Sequence, residues 1–217
     1  DNIATRGQPS PLGAASVRLV AAEKDAPPAA RLREAGAIIF SKTTMPDYGM
    51  LSSGLSSFHP LTRNPWDLTK NPGGSSSGAG AAGAAGYGPL HLGTDIGGSV
   101  RLPACWCGLV ALKPSLGRVP IDPPYVGRVA GPMTRIVDDA ALMMCVLSKP
   151  DRRDGMSLPA DNINWKAHEK SPRKLRIGLM LDAGTGQPLE KAVRAVAVKA
   201  AKAFESAGAV VTEVDGI

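Results

Sequence analysis

Residues 71–120 read NPGGSSSGAGAAGAAGYGPLHLGTDIGGSVRLPACWCGLVALKPSLGRVP and contain two glycine turns that carry serine. The first turn is GGSSSG at 73–78, and the second is GTDIGGSVR at 93–101. Glycine lets a backbone approach a ligand closely, and the N–H groups of such turns can bind an oxyanion. The two turns are therefore candidates for a nucleophile and an anion pocket.

The composition of the 217 residues is typical of a soluble globular domain, with 43% hydrophobic and 20% charged residues. The hydrophobic fraction is too high for a disordered chain, and the 25 Gly and 19 Pro indicate many turns. No apolar run is long enough to span a membrane. The polar, turn-rich start and the strand-like end favour a piece of a longer protein, with one truncated domain over 1–217.

Charge and cysteine content indicate neither nucleic-acid binding nor a disulfide framework. Residues 149–202 hold 12 Lys/Arg and 6 Asp/Glu, while the remainder holds 13 of each. We interpret this basic stretch as a solvated face, because Trp165 is its only stacking group. Cys105, Cys107 and Cys145 favour buried thiols in a reduced, cytoplasmic setting over a metal site.

The apolar pattern predicts an α/β fold. A helix capped by Asp25, with Pro27 and Pro28 in its first turn, should end at Gly36. The other predicted helices cover 76–87, 138–147 and 189–206. The predicted strands cover 37–40, 89–92, 109–112, 175–181 and 209–214, and the residues from 174 onward form a β-α-β unit.

Two familiar motifs lack their required context. Residues 78–83 match G-x-G-x-x-G, but a loop precedes them where a dinucleotide site needs a strand. Residues 74–78 match the G-x-S-x-G nucleophile elbow, which also needs a preceding strand and a histidine base. His91 and His168 lack convincing acidic partners, so a Ser-His-Asp hydrolase is the less favoured alternative, and His59 is interpreted as structural or site-lining.

Ser99 has the surroundings of a nucleophile, because residues 96–99 supply consecutive N–H donors. With few histidines, its activation would need another base, and a neutral lysine is the known alternative. A tight structural turn explains the same residues equally well.

The two turns resemble the signature of the amidase signature family. The resemblance extends over the segments 73–76, 93–104, 107–108 and 112–114, with weaker similarity in 32–37, 42–46, 64–66 and 131–133. It implies a mixed central β-sheet flanked by helices on both faces, here only in part. The family core would be 1–148, followed by a polar connection at 149–173 and the β-α-β unit at 174–217.

The family hydrolyses amides with a Ser–cis-Ser–Lys triad, which implies a role for each matching residue. Ser99 would be the nucleophile, and Ser75 the bridging serine, with a cis peptide bond after Gly74. Ile96, Gly97, Gly98 and Ser99 would form the oxyanion hole. Residues that would support this site are Ser76, Thr94, Asp95 and Arg101. Residues that would line the substrate pocket are Met50, Leu51 and Ser52.

The family's catalytic lysine should directly precede Asp1, outside this sequence. Lys42 matches a different position of the family, and Lys70 lies in the loop before the first turn. We therefore expect the chain by itself to be inactive or nearly so. The resemblance implies a small-molecule amide substrate, no metal or organic cofactor, no nucleic-acid or membrane partner, and is compatible with a homodimer. Two alternatives stay open: an A-type amidotransferase subunit that acts on charged tRNA, although such relatives usually have Gln where Leu102 stands, and a non-catalytic fragment.

Overall fold

The computed structural model describes residues 1–167 and 171–215, which form a mixed α/β fold in two compact units, Asp1–Lys166 and Ala167–Ile217. Elements of the first unit are α1 (Pro27–Glu34), a 3-10 turn (Asp47–Gly49), α2 (Ser77–Ala84), β1 (Leu90–Asp95), α3 (Arg101–Cys107), β2 (Val110–Ala111), β3 (Val129–Thr134) and α4 (Val137–Leu147). The second unit contains β4 (Arg176–Met180), α5 (Lys191–Ser206) and β5 (Val210–Val214). Within the described ranges, no helix combines the length and apolarity needed to cross a bilayer.

The first unit is built on an antiparallel sheet of strand order β1-β3-β2. Strand β3 is buried along its whole length, because β1 and β2 flank it and helices pack on it. One core cluster includes Val119, Ile121 and Ala130 with the α4 residues Met143, Met144 and Leu147. A second cluster joins α2, α3 and β3, so the two serine turns are attached to a packed core.

Helix α2 contains the glycines of the G-x-G-x-x-G pattern, and their small size lets it pack closely on its neighbours. A Cβ on Gly80 would lie 2.9 Å from Pro103 Cβ, and one on Gly83 would lie 2.8 Å from Leu109 Cδ1. A Cβ on Gly78 would collide with the Thr44 backbone nitrogen. The predicted helix and its tight packing are confirmed, and the glycines serve helix contacts within the first unit.

The helix over residues 27–34 is confirmed with both prolines in its first turn, but its predicted cap is wrong. The N-cap is Ala26, which makes no side-chain capping bond. The Asp25 carboxylate instead accepts the Arg6 N–H at 2.7 Å and lies 3.1 Å from the Arg33 guanidinium. Asp25 therefore ties α1 to the N-terminal segment.

The buried strand predicted at 37–40 is wrong. Ile38 is 87% exposed and Phe40 is 70% exposed, and no strand of the described residues pairs with this segment. The segment lines a cavity of ≈ 640 Å³ whose other lining residues include Leu90 and Leu92 of β1. Apolarity alone predicted burial here, but burial of a strand also requires a neighbouring strand.

Strand β1 is confirmed but extends to Asp95, so residues 93–95 of the second turn belong to the strand. The predicted strand at 109–112 is confirmed as the two residues of β2, and the helix at 138–147 as α4. Helix α3 and strand β3 were not predicted, because Pro103 and Pro132 interrupt their patterns. Pro103 lies in the first turn of α3, where a missing N–H costs little.

The second unit confirms the predicted β-α-β arrangement. Strands β4 and β5 are parallel, with Ile177 opposite Val211, and the connection between them contains α5. Gly208 follows α5 with φ +94°, as expected for a glycine that terminates a helix.

Candidate active site

The two serine turns meet through direct hydrogen bonds. The Ser76 N–H donates to the Ser99 carbonyl oxygen at 3.2 Å. The Ser76 hydroxyl accepts the Thr94 N–H at 3.2 Å and donates to the Thr94 carbonyl at 3.3 Å. Ser76 thereby joins the first turn both to the end of β1 and to the turn that follows it.

Ser75 lies in the interior of this junction. The Gly74–Ser75 peptide bond is cis, and Ser75 is only 5% exposed. A Cβ on Gly74 would lie 2.5 Å from the Ser53 nitrogen, so only glycine fits against the loop that covers this turn. A Cβ on Gly49 would lie 3.2 Å from Ser75 Oγ, so the glycine backbone of the same loop borders the hydroxyl.

Asp95 organises the second turn from a fully buried position at the end of β1. Its carboxylate accepts the N–H groups of Gly98 at 2.8 Å, Val100 at 3.1 Å and Arg101 at 3.3 Å. The Arg101 guanidinium adds Nε–H and Nη2–H bonds of 3.0 and 2.9 Å. The N-cap residue of α3, Val100, makes no side-chain capping bond, and the Asp95 carboxylate caps the helix in its place.

These contacts keep Asp95 ionised. Burial raises the pKa of the carboxyl group, but the hydrogen bonds from Arg101, Val100 and Gly98 outweigh burial and lower the pKa to about 2. The carboxylate, charged at neutral pH, fixes the backbone between β1 and α3, the part of the chain that contains Ser99.

The backbone donors of the second turn are not equivalent. The Gly98 N–H is already donated to Asp95, which removes it from the four donors implied by the family resemblance. The N–H groups of Ile96, Gly97 and Ser99 make no hydrogen bond to any described residue. Ser99 itself is half-buried, and its hydroxyl likewise has no described partner.

The far end of α3 is held by a loop that sequence reasoning did not assign to the site. Asn64 Nδ2 donates to the Trp106 carbonyl at 2.9 Å, and Trp66 Nε1 donates to the Cys107 carbonyl at 2.8 Å. These bonds satisfy two carbonyls at the C-terminus of the helix. The Asn-Pro-Trp sequence at 64–66 was the available signal, although it did not reveal this role.

The first residues of the chain lie beside the serine turns. Asn2 Nδ2 donates to Thr94 Oγ1 at 2.9 Å, and Asp1 Oδ2 accepts the Gly13 N–H at 2.7 Å. Residues 1–3 line, together with Ser75 and Ser76, a small cavity of ≈ 20 Å³. A residue attached to Asp1 would therefore start close to Ser75.

The histidines and lysines weighed as candidate bases make no hydrogen bond to Ser75 or Ser99. His59 Nε2 lies 3.0 Å from the Asp1 carboxylate, and a His91 ring nitrogen lies 3.2 Å from the Gly88 carbonyl oxygen, so neither ring contacts a site serine. Lys42 Nζ donates to Pro9 O and Ser10 Oγ at 2.8 and 2.6 Å, and burial lowers its pKa to about 8. Lys70 is exposed, and His168 lies outside the described residues.

The remaining predicted residues fall into two groups. Met50, Leu51 and Ser52 lie on the loop that covers Gly74, and all three are exposed. Their contact with a substrate stays a prediction.

Cys107 is buried, with its thiol 3.4 Å from the Pro72 carbonyl, but Cys105 and Cys145 are exposed, so the expectation of buried thiols is wrong for both. Both lie at helix positions that face outward, which a burial preference based on residue type does not capture.

An α/β scaffold whose two serine-bearing glycine turns meet through the hydrogen bonds of Ser76 is a candidate serine hydrolase. Residues 1–216 match the family model described as Amidase. The chain is 41% identical to the A-type subunit of the Glutamyl-tRNA(Gln) amidotransferase from Symbiobacterium thermophilum, over 98% of this chain and 44% of that protein.

Solved structures agree with the family match. A bacterial aryl acylamidase of the amidase signature family superposes with a TM-score of 0.86 at 35% identity, over 99% of this chain and 45% of that one. The native peptide amidase of Stenotrophomonas maltophilia gives a TM-score of 0.88 at 30% identity, over 99% and 46%. This chain belongs to the amidase signature family and spans about half the length of these relatives.

Proposed function

We propose that this chain carries the nucleophile and the proton relay of a longer amidase that hydrolyses a carboxylic amide to an acid and ammonia or an amine. The observation that carries the proposal is the bond between Ser76 and Ser99, which brings both serine turns together beside backbone N–H groups without described partners. Family membership supports the same chemistry.

In this mechanism Ser99 Oγ attacks the amide carbonyl while its proton passes to Ser75 Oγ. Ser75 in turn gives its own proton to a neutral lysine. The oxyanion accepts hydrogen bonds from the N–H groups among Ile96, Gly97 and Ser99, and one such donor contributes about 2.7–4 kcal/mol to the transition state. The proton then returns through Ser75 to the leaving nitrogen, the C–N bond breaks, and water hydrolyses the ester on Ser99.

We assign the base to a lysine directly before Asp1. The position fits because residues 1–3 share the small cavity with Ser75. Lys42 has a pKa lowered by burial, but its amine donates to the Pro9 carbonyl and to Ser10 Oγ. With a lysine as base at this position, the proposed reaction needs no metal or organic cofactor.

A second candidate function is that of an A-type amidotransferase subunit, which needs partner proteins and charged tRNA. It is favoured by the relative from Symbiobacterium thermophilum, whose name describes such a protein. Leu102 stands against it, because it directly follows Arg101 at the position where we expect Gln in such relatives. Hydrolysis of simple amides by the purified full-length protein without partners would favour the amidase.

The test is a panel of primary amides, anilides, peptide amides and esters with the full-length protein and its Ser99→Ala variant. We expect Ser99→Ala to abolish turnover, since loss of a serine nucleophile lowers kcat by about 10⁶-fold. Covalent labelling by a fluorophosphonate should disappear with it.

The matched control is Ser115→Ala, an exposed serine outside both turns, which should keep activity and labelling. Labelling that persists in Ser99→Ala would show that another residue is the nucleophile and would refute the assignment.

A further inference from the structure

A loop at residues 122–128 lies directly beside the turn that we propose holds the oxyanion. A Cβ placed on Gly127 would lie 3.9 Å from Ile96 Cγ2. Ile96 is the first residue of that turn and is 56% exposed. The surface next to the N–H groups of the turn is therefore continued by this loop.

The loop that borders Ile96 carries exposed apolar side chains. Tyr125 is 60% exposed and Val126 is 79% exposed, although both precede a buried strand. They directly precede Gly127, the residue that approaches Ile96, so exposed apolar side chains occur both on this loop and on the neighbouring turn. An aromatic ring on such a surface contributes a large contact area with only two side-chain torsions to restrict.

Arg128 contacts this loop through both its backbone and its guanidinium. Its N–H donates to the Tyr125 carbonyl at 3.0 Å, and its Nη2 donates to the Pro123 carbonyl at 2.8 Å. The guanidinium carbon also lies 6.0 Å from the centre of the Tyr125 ring, at the distance of a cation–π contact. The backbone and the ring of Tyr125 are thus positioned before any ligand arrives.

We propose that Tyr125, with Val126 and Ile96, is a specificity-determining wall that binds an aromatic substituent of the amide substrate. This inference rests on the proposed function, because the position of Tyr125 affects substrate choice only if the turn at 96–99 binds the reacting carbonyl. The commitment to an aromatic group follows from the exposed tyrosine ring, which Arg128 contacts from the loop itself, and from the exposed apolar side chains of Val126 and Ile96.

The test compares two pairs of amides with the full-length protein: phenylacetamide with acetamide, and N-benzylacetamide with N-methylacetamide. We expect Tyr125→Ala to raise KM for the aromatic member of one pair about tenfold, as expected for loss of an aromatic contact. The values of kcat, and KM for the small amides, should change less than about twofold. Which pair responds identifies the acyl or the amine side of the site.

Tyr125→Phe keeps the ring and should keep the wild-type preference, which distinguishes ring contact from a role of the hydroxyl. Tyr87→Ala is the matched control, since Tyr87 is 67% exposed and lines the separate cavity beside residues 37–42. Equal losses for aromatic and small amides in Tyr125→Ala, or an unchanged KM, would overturn the inference. Absence of any hydrolysis by the wild type would instead refute the proposed function.

Discussion

Asp95 shows how one buried side chain sets the geometry of a candidate site. Its carboxylate binds three backbone N–H groups and the Arg101 guanidinium, and its side chain is fully buried while that of Arg101 is half-exposed. The bonds convert residues 96–100 from a flexible glycine segment into a fixed connection to α3. Asp95 therefore fixes the backbone on both sides of Ser99, at Gly98 and at Val100.

We expect Asp95→Asn to lower the free energy of unfolding by about 2–3 kcal/mol at pH 6, because hydrogen bonds to a charged acceptor are weakened. The pKa of Asp95 is lowered from 3.8 to about 2 in the folded protein. Its stabilising contribution is therefore complete above about pH 5 and is lost as the pH falls toward 2. Urea denaturation at pH 6 and pH 3 should show a smaller difference between variant and wild type at pH 3.

Asp161→Asn is the control, since its carboxylate is 58% exposed and lies 3.6 Å from Arg118. An exposed pair of this kind should contribute less than about 1 kcal/mol at either pH. A difference for Asp95→Asn that is independent of pH would mean that the charge of the carboxylate is not what stabilises the turn.

Single residues also show what could and what could not be predicted from the sequence. The serines at 75 and 99 were located by their glycine neighbours and by the family resemblance. The engagement of Gly98 with Asp95 was not foreseen, because the direction of a backbone N–H depends on φ and ψ rather than on residue type. Gly98 has φ +119°, a conformation that residues with a Cβ rarely adopt.

At the scale of elements, α2 depends on glycine for contact rather than for flexibility. Gly78 N–H donates to the Thr44 carbonyl at 3.0 Å, which brings the helix start against the segment at 43–44. A side chain at this position would meet backbone atoms, which cannot move aside as a flexible side chain would.

We expect Gly78→Ala to destabilise the protein by about 2–3 kcal/mol, even though alanine is the better helix former. Gly155→Ala is the control, because a Cβ there would meet nothing within 4 Å, and it should change stability by less than about 1 kcal/mol. Thermal and urea unfolding measure both. A Gly78→Ala variant as stable as wild type would mean that α2 can shift away from Thr44 without loss.

Element prediction failed where an element depends on a distant partner. Residues 37–40 have the composition of a buried strand, yet Ile38 and Phe40 are exposed beside a cavity because no described strand pairs with this segment. Helix 191–206 and its two parallel strands were predicted correctly, since each element there has its own apolar period and its partners are close in sequence.

At the scale of the whole molecule, our proposal assigns the nucleophile and the proton relay to the described residues and the base to a lysine before Asp1. We expect the 217-residue chain alone to release no product above background from the amide panel, because proton transfer from Ser75 needs an acceptor. The full-length protein should be active under the same conditions. The measurement is product release by each protein at equal concentration.

Activity of the 217-residue chain that disappears in Ser99→Ala would contradict this expectation. It would place the base among the residues present here, with Lys42 as the first candidate because its pKa is lowered to about 8. The same variant thus tests whether the observed rate belongs to the proposed site.

The sequence by itself determined the family, the two serine turns and most of the elements, because glycine spacing and apolar period are local properties. Only the tertiary structure decided which N–H groups of the turn at 96–99 are left without a described partner, how Asp95 and the 64–66 loop fix α3, and that the loop of Tyr125 lies beside Ile96. These features depend on contacts between segments far apart in the chain, and no local pattern encodes them. The physical reason is that the contact partners of a side chain are set by tertiary packing, whereas secondary-structure propensity depends only on residues close in sequence.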